Sequence, residues 1–334
     1  MSDRLTQARD SVQRILIVAL DNLGDLVFAS ALMPPLHAAF PNATIDVWCK
    51  AYTSPIAPLI PFVNDVIAAD PFWANAPHRP RPPISSFLRS VGAVRQRRHD
   101  VAILTGAPWR TAAAVSATRI PIRIGLARRH NRRFLTHVLS AEDERKPVVQ
   151  EQARLLTPLS IESPNPRYKL DSTRLDTARR AFAERLPRFV ALHPFAGDLR
   201  RCVAIDEWIH VARALDARGV APLWIGTTGE LDRLRAKAVS APGYFIDALG
   251  DGSLITTATA LSLARIFVGH DSGPLHLANA LGTPVVGIFA PGQPERTFPQ
   301  GVGPSRLLYS PSPAGIDAER MLHEIDALLV SSAQ

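Results

Sequence analysis

Cysteine and long apolar runs are scarce in this sequence. Its 334 residues include two cysteines, Cys49 and Cys202, too few for a disulfide framework or an all-cysteine zinc site. No apolar run reaches the roughly 18 residues that a membrane-spanning helix needs. The opening residues, MSDRLTQARD, are polar and lack the apolar segment of a secretory signal. These absences predict a soluble protein of the reducing cytoplasm.

Several common catalytic and nucleotide-binding motifs are also missing. The chain has no Asp-x-Asp, no GxxxxGK[ST], no HExxH and no GxSxG, and no GxGxxG follows its first apolar run. The sequence therefore disfavours a metal-bridged diphosphate site, a P-loop nucleotidase, a zinc peptidase, a nucleophile-elbow hydrolase and a standard dinucleotide oxidoreductase.

Lysine is rare, and the positive charge is carried by arginine. The chain has 38 basic and 30 acidic residues, a net charge of +8, and only four of the basic residues are lysines. Residues 1–165 hold 20 basic and 13 acidic residues, whereas residues 166–334 hold 18 and 17. Since arginine binds phosphates and carboxylates with a two-pronged donor fork, the first half is expected to meet an anionic partner.

Short apolar runs alternate with helical patterns in two series. The first series predicts strands at 15–19, 44–48, 66–68, 101–104 and 122–125, and helices at 25–40, 87–97 and 149–159. The second predicts strands at 189–192, 221–225, 244–246, 266–268 and 285–289, and helices at 206–217, 230–239 and 316–330. Such alternation is typical of parallel sheets covered by helices.

A proline-containing stretch, Ser163–Pro166, separates the two series. It predicts two doubly wound α/β domains, residues 1–165 and 166–334, that face a cleft. One option for the last helix, 316–330, is to pack back on the first domain.

The first candidate site follows the first predicted strand. Gly24 and Asp25 lie in a turn that opens a helix, and ligands of open α/β sheets bind beyond the carboxyl ends of strands. Asp25 has two interpretations, a helix cap or a catalytic base, and Asp21 competes for either role.

The second candidate is the string Gly269–His276 (GHDSGPLH), between a strand and a helix. Asp271, Ser272 and Gly273 stand where backbone N–H groups and the helix dipole attract an anion, and His276 lies one turn further on. The alternative is helix capping beside a buried histidine.

Two further turns end strands of the second series. The loop His193–Arg201 carries Arg200 and Arg201, which suits a pyrophosphate but also an exposed basic turn. The turn Gly226–Glu230 places Glu230 where it accepts hydrogen bonds from ribose hydroxyls, although glutamate is also common in the first turn of a helix.

An arginine run in the first half forms the last candidate. Its members are Arg119, Arg123, Arg128, Arg129, Arg132 and Arg133. The run is either a solvated face or an anion-binding surface, and the charge asymmetry between the halves favours the second interpretation.

These segments, in this order, resemble glycosyltransferase family 9, the ADP-heptose:lipopolysaccharide heptosyltransferase family. The strongest match is 267–294 (FVGHDSGPLHLANALGTPVVGIFAPGQP), which is similar to the family's D-[ST]-G-x-x-H-L-A-x-A-L-G-x-P signature. A second match, 15–34 (ILIVALDNLGDLVFASALMP), is similar to its opening strand, Gly-Asp turn and helix. Ala19 stands where many members have arginine or lysine, and Arg201 stands in place of a lysine.

The resemblance implies a GT-B fold of two Rossmann-like domains, with the acceptor in the first and the sugar nucleotide in the second. It implies that Asp25 is the general base. By the same resemblance Arg201, Glu230, Asp271, Ser272, Gly273 and His276 bind the donor. The basic N-terminal half makes Arg128, Arg129, Arg132 and Arg133 candidates for acceptor binding.

The implied reaction is an inverting transfer of heptose from ADP-heptose, without a metal, to an anionic lipopolysaccharide inner core. The enzyme would then be cytoplasmic, with a peripheral contact at the inner membrane and no nucleic-acid partner. Same-fold alternatives are a transferase with another donor or acceptor, such as O-antigen or a protein, and an epimerase. A remote alternative is an arginine-rich nucleic-acid-binding protein.

Overall fold

The computed structural model describes residues 12–74, 82–186, 188–237 and 241–331. The polar opening residues and the end of the predicted helix 230–239 lie outside these ranges. The chain forms two compact units, Met1–Tyr168 and Lys169–Gln334. Among the described residues, no helix has the length and hydropathy to cross a membrane.

The first unit is built on a six-stranded sheet in which all neighbours are parallel. Its strands are β1 (Arg14–Ala19), β2 (Thr44–Cys49), β3 (Val63–Ala68), β4 (Val101–Leu104), β5 (Ile122–Leu126) and β6 (His137–Leu139), in the order β3-β2-β1-β4-β5-β6. Strands β1 and β4 lie at the centre, and nearly every residue of these two strands is buried, as in parallel sheets covered on both faces.

The helices of this unit are α1 (Leu23–Ala29), α2 (Met33–Ala39), α3 (Ile84–Gln96), α4 (Trp109–Ala117) and α5 (Val148–Ala153). The predicted helix 25–40 is divided into α1, a 3₁₀ turn at Ser30–Leu32 and α2. Pro34 and Pro35 follow the turn closely, and neither has the N–H group that would continue a single helix through it.

The predicted helix 149–159 is divided in the same way. Its first part is α5, and its second part, Arg154–Leu159, is a 3₁₀ helix that contains Pro158. Because proline cannot donate the hydrogen bond of an α-helix interior, the last turn takes the tighter form.

One face of the first sheet is covered by α3 and α4, which pack into a shared apolar cluster. Phe87 and Val94 of α3 and Ala112 and Val115 of α4 are buried there against residues of β1, β2 and β4. The Phe87 ring stacks on Trp48 of β2 at 5.5 Å between centroids. The two helices therefore lie side by side with their opposite faces outward.

The second unit repeats this architecture. Its strands are β7 (Phe189–His193), β8 (Ala221–Trp224), β9 (Tyr244–Phe245), β10 (Phe267–His270), β11 (Val285–Phe289) and β12 (Ser305–Tyr309), all parallel, in the order β12-β11-β10-β7-β8-β9. Its helices are α6 (Asp176–Arg185), α7 (Ile205–Ala217), α8 (Thr228–Lys237), α9 (Ile246–Leu249), α10 (Leu254–Leu263), α11 (Gly273–Ala280), α12 (Pro294–Thr297) and α13 (Ala318–Ser331). Helix α13 packs on α7, β11 and β12 within the second unit.

Each sheet has one point at which the strand order reverses. In the first it lies between β1 and β4, and in the second between β7 and β10. Loops leave the carboxyl ends of these strands in opposite directions, which opens a crevice where ligands of such sheets bind.

Candidate functional site

Asp25 lies at the carboxyl edge of the first sheet, in the first turn of α1. Asn22 is the N-cap residue, and its backbone N–H donates to Oδ2 of Asp25 at 2.9 Å. The side chain is half-buried. Asp25 therefore makes the capping contact expected from its position, and that contact fixes the orientation of its carboxylate.

Asp21 occupies the reversal point itself, just beyond β1. Its carboxylate lies directly over Gly106, which follows β4, so a Cβ built on Gly106 would meet Oδ2 of Asp21 at 1.6 Å. Only glycine allows this approach. Burial raises the pKa of Asp21 above its usual 3.8, against the opposing effect of the positive charges of Lys50 and Arg128.

Two cations belong to the same edge. Lys50, directly after β2, donates from Nζ to Oδ1 of Asn22 at 3.3 Å. Arg128, after β5, pairs with Glu142 at 3.0 Å and remains half-exposed. The charges of both act on the carboxylate of Asp21, so the loops after β1, β2 and β5 bring these three groups together.

The loop that carries Arg128 is anchored by a buried asparagine. Asn131 donates through Nδ2 to the carbonyls of Ala107 and Leu126, at 2.8 and 2.9 Å, and accepts the N–H of Arg128 at 2.9 Å. This one side chain joins the loop after β5 to the loop after β4.

The remaining arginines of the predicted acceptor set are exposed. Arg129 donates to His130, and the Arg133 guanidinium lies 4.8 Å from the centroid of the Phe134 ring. Arg132 and Arg133 belong to a 3₁₀ turn that packs on α4. The structure brings Arg128 to Asp21, whereas Arg129, Arg132 and Arg133 form no ion pair within the described ranges.

In the second unit, the N-terminus of α11 lies at the carboxyl end of β10. Ser272 is its N-cap residue, but Oγ of Ser272 donates to the carbonyl of His270 at 3.0 Å. Within the described part of the chain, the N-cap side chain makes no capping hydrogen bond to this helix end. The dipole and the first backbone N–H groups of α11 are therefore suited to an anion.

Asp271, immediately before this helix end, is the centre of a polar network. One carboxylate oxygen lies 3.5 Å from Nε2 of His276, and the other accepts from Thr297 at 3.1 Å and from Arg201 at 3.3 Å. Burial alone would raise the pKa of Asp271, but the contacts with His276 and Thr297 and the charge of Arg201 lower it. Asp271 is thus held as a carboxylate.

Arg201 reaches this network from the loop after β7. Its Nε donates to the carbonyl of Pro291 at 2.8 Å, and its Nη2 donates to Asp271. A Cβ on Gly292 would lie 3.1 Å from Nη2 of Arg201, so the guanidinium lies against that glycine. Arg200, its neighbour, is exposed and pairs instead with Asp198 at 2.7 Å.

Two buried histidines line the base of the same loop. Nδ1 of His193 bonds to the carbonyl of Ile225 at 2.9 Å, and Nε2 of His270 accepts the N–H of Val203 at 3.0 Å. Burial lowers the pKa of His270 to about 3, and it lowers the pKa of His193 as well. Both imidazoles are neutral at physiological pH and position the loop as hydrogen-bonding groups.

Glu230 lies in the first turn of α8. It accepts the N–H and the hydroxyl of Thr227, each at 2.8 Å. Its charge acts on His193 and Cys202, which places it beside the loop after β7. These contacts with Thr227 are those of a helix-capping glutamate. A ribose hydroxyl bound here would share the same carboxylate with Thr227.

Three residues of these networks do not stand out in the sequence, namely Lys50, Asn131 and Thr297. Lys50 carries a usable signal, because it closely follows a predicted strand. The other two contribute through contacts with distant loops. Gly292, by contrast, lies in the turn that ends the matched segment 267–294. Among the described residues, no group of three or more His, Cys, Asp or Glu side chains could hold a metal ion.

Two Rossmann-like units with polar groups at their reversal points define a class of nucleotide-dependent α/β enzymes. The profile of glycosyltransferase family 9 (heptosyltransferase) matches residues 87–309, about two thirds of the chain, and the chain belongs to this family. The protein is a glycosyltransferase, and the predicted GT-B fold is confirmed.

Individual relatives are distant but extend over most of the chain. Lipopolysaccharide heptosyltransferase 3 of Escherichia coli is 25% identical over 285 residues, which cover 80% of each protein. The structure of E. coli ADP-heptose lps heptosyltransferase II has a TM-score of 0.80 at 20% identity and covers 96% of this chain and 100% of the other. E. coli heptosyltransferase WaaC with ADP has a TM-score of 0.76 at 17% identity, covering 95% and 100%.

Proposed function

We propose that this enzyme transfers a heptose from ADP-heptose to an anionic inner-core acceptor of lipopolysaccharide, with inversion and without a metal ion. The observation that carries the proposal is the Arg201–Asp271 pair at the N-terminus of α11, at the reversal point of the second sheet. The names of the relatives supply the sugar and its nucleotide.

The donor diphosphate is the group that this arrangement suits. Arg201 is an already oriented cation, and the backbone of Ser272 and Gly273 lies at the positive end of the helix dipole. Asp271 holds Arg201 and His276 in place, and Glu230 takes the ribose hydroxyls. Two sources of positive potential, the guanidinium and the helix dipole, then stabilise the departing diphosphate without a divalent ion.

The acceptor is assigned to the carboxyl edge of the first sheet. Lys50 and Arg128 lie beside Asp21, and Arg129, Arg132 and Arg133 add exposed charge nearby in sequence. Phosphate or carboxylate groups of an inner-core sugar match these cations. We place the enzyme in the cytoplasm, at the face of the inner membrane where a lipid-linked acceptor is within reach.

Asp25 is the general base in this proposal. Its carboxylate takes the proton of the acceptor hydroxyl as that oxygen bonds to the anomeric carbon of the donor, and the bond from that carbon to the diphosphate breaks. The products are the glycosylated acceptor, ADP and a protonated Asp25. The N–H of Asn22 keeps the carboxylate oriented throughout.

The experiment is turnover of ADP-heptose with an inner-core acceptor in excess EDTA, comparing Asp25→Asn with the unchanged enzyme. The amide oxygen of the Asp25→Asn variant can still accept the Asn22 N–H, so the fold and the donor affinity are expected to survive. Loss of a general base typically lowers kcat by about 10²–10⁴-fold. The anomeric configuration of the product, read by NMR, checks inversion.

The matched control is Asp21→Asn, which removes a carboxylate four residues earlier at the same sheet edge. It is expected to keep most of kcat if Asp25 is the base. A near-normal kcat in Asp25→Asn with a collapse in Asp21→Asn would transfer the role to Asp21. Activity lost in EDTA and restored by Mg²⁺ or Mn²⁺ would contradict the metal-free mechanism.

A further inference from the structure

The first unit contains a long segment that is almost free of negative charge. Residues 82–141 include 11 arginines and a single acidic residue, Asp100. Asp100 accepts the backbone N–H groups of Gln13 and Arg14, at 2.8 and 2.9 Å, at the start of β1. That contact places the one carboxylate at the amino edge of the sheet, away from the edge that carries Asp25 and Arg128.

Four large apolar side chains are exposed in the same segment. One is Val138 of β6, and the other three lie on α3 and α4. Ile84 and Leu88 on α3 are 55% and 60% exposed, and Trp109 at the start of α4 is 41% exposed. Ile84 and Leu88 are four residues apart and so share one side of their helix. Both helices follow strands of a parallel sheet, so each begins at the carboxyl edge of that sheet.

Arginines stand beside these apolar groups. Arg89 follows Leu88, and the Arg110 guanidinium lies 5.3 Å from the centroid of the Trp109 ring. Both arginines are exposed, and neither has an ion-pair partner in the described ranges. Because α3 and α4 pack side by side, these five exposed residues lie on two adjacent helices, namely Ile84, Leu88, Arg89, Trp109 and Arg110. We call these five residues the docking face.

We propose that the docking face binds the surface of an anionic lipid bilayer, with the apolar groups in the headgroup region and the arginines on lipid phosphates. Exposed aliphatic and indole groups interspersed with cations are what an interfacial segment needs. A nucleic acid would use the charge but not two exposed aliphatic side chains. The inference rests on the proposed function, since a lipid-linked acceptor lies in such a bilayer and the docking face begins at the acceptor edge.

The test is sedimentation of the full chain with vesicles of phosphatidylethanolamine and phosphatidylglycerol, and with phosphatidylcholine vesicles for comparison. Ile84→Ser/Leu88→Ser should lower partitioning onto the anionic vesicles by about tenfold or more. Arg89→Gln/Arg110→Gln should remove the preference for anionic lipid. The matched control is Val330→Ser, an aliphatic residue of the second unit that is 66% exposed, and it should bind like the unchanged protein.

Activity on a water-soluble, de-lipidated acceptor separates this inference from the proposed function. Ile84→Ser/Leu88→Ser should keep its kcat/KM on that substrate and lose activity on vesicles. Absence of turnover by the unchanged enzyme, together with the expected vesicle results, would contradict the proposed function and support the docking face. Unchanged vesicle binding by both double variants, or tighter binding to RNA than to anionic vesicles, would overturn the inference.

Discussion

Arg201 is oriented before any ligand arrives, because a backbone carbonyl and a carboxylate hold its guanidinium against Gly292. Such preorganisation lets a cation act on a diphosphate without first losing side-chain freedom. Lysine at this position would supply the charge but not two donors in a fixed plane.

Replacing Arg201 by alanine is therefore expected to weaken donor binding by about 10- to 100-fold, since hydrogen bonds to charged groups contribute about 1.5–3 kcal/mol. The affinity of Arg201→Lys should fall between those of the alanine variant and the unchanged enzyme. Isothermal titration with the sugar nucleotide measures the effect. Arg200→Ala is the matched control and should bind donor normally, because Arg200 is exposed and paired with Asp198. A larger loss in Arg200→Ala than in Arg201→Ala would assign the diphosphate contact to Arg200 instead.

Asp21 gives a prediction about pH and stability. Its pKa in the folded state is raised above 3.8, so the ionised carboxylate destabilises the folded protein at neutral pH. This destabilisation disappears at a pH low enough to protonate the carboxyl group in both the folded and the unfolded protein. Asp21→Asn should thus have a higher Tm than the unchanged protein at pH 7. The difference should shrink as the pH falls and vanish below about 3.8. Thermal melts from pH 7 to pH 3.5 follow it, and a lower Tm at pH 7 would contradict this explanation.

Single residues are predictable from the sequence where they follow a strand. Asp25, Asp271 and Arg201 stand out because the carboxyl ends of parallel strands define the binding edge. The contact of Asp21 with Gly106 is not predictable in this way, since it joins loops 85 positions apart through the pairing of β1 with β4.

At the scale of elements, the sequence predicts the buried strands well and two of the edge strands not at all. Strand β11 is predicted at its observed bounds, because its five residues are apolar or glycine and wholly buried. Strands β6 and β12 are missed. They lie at the edges of their sheets and are only partly buried, so their sequences lack the long apolar run that marks a central strand.

The loop between β5 and β6 depends on Asn131. Asn131→Ala would leave the carbonyls of Ala107 and Leu126 without these donors in a buried setting. The expected loss in free energy of unfolding is about 2–4 kcal/mol, since unmade buried hydrogen bonds cost about 1–3 kcal/mol each. Urea unfolding measures it, with Arg129→Ala in the same loop as the control. A loss below about 0.5 kcal/mol, within the range of ordinary surface substitutions, would show that the asparagine does not anchor the loop.

At the scale of the whole molecule, the two units have the same strand order but differ in net charge. Both sheets follow the same topology, as the repeated alternation of strand and helix predicts. The excess of positive charge belongs to the first unit, where residues 82–141 combine 11 arginines with a single acidic residue. Composition therefore distinguishes two units whose folds are alike.

The measurement that most directly tests the central claim is a thermal-shift and titration series with ADP-heptose and with UDP-, GDP- and CDP-sugars. We predict that ADP-heptose binds best and, at about 100 times its Kd, stabilises the fold by about 2.7 kcal/mol. Arg201→Ala should lose most of that stabilisation at the same ligand concentration. Stronger stabilisation by a UDP-, GDP- or CDP-sugar, or none by ADP-heptose, would contradict the claim.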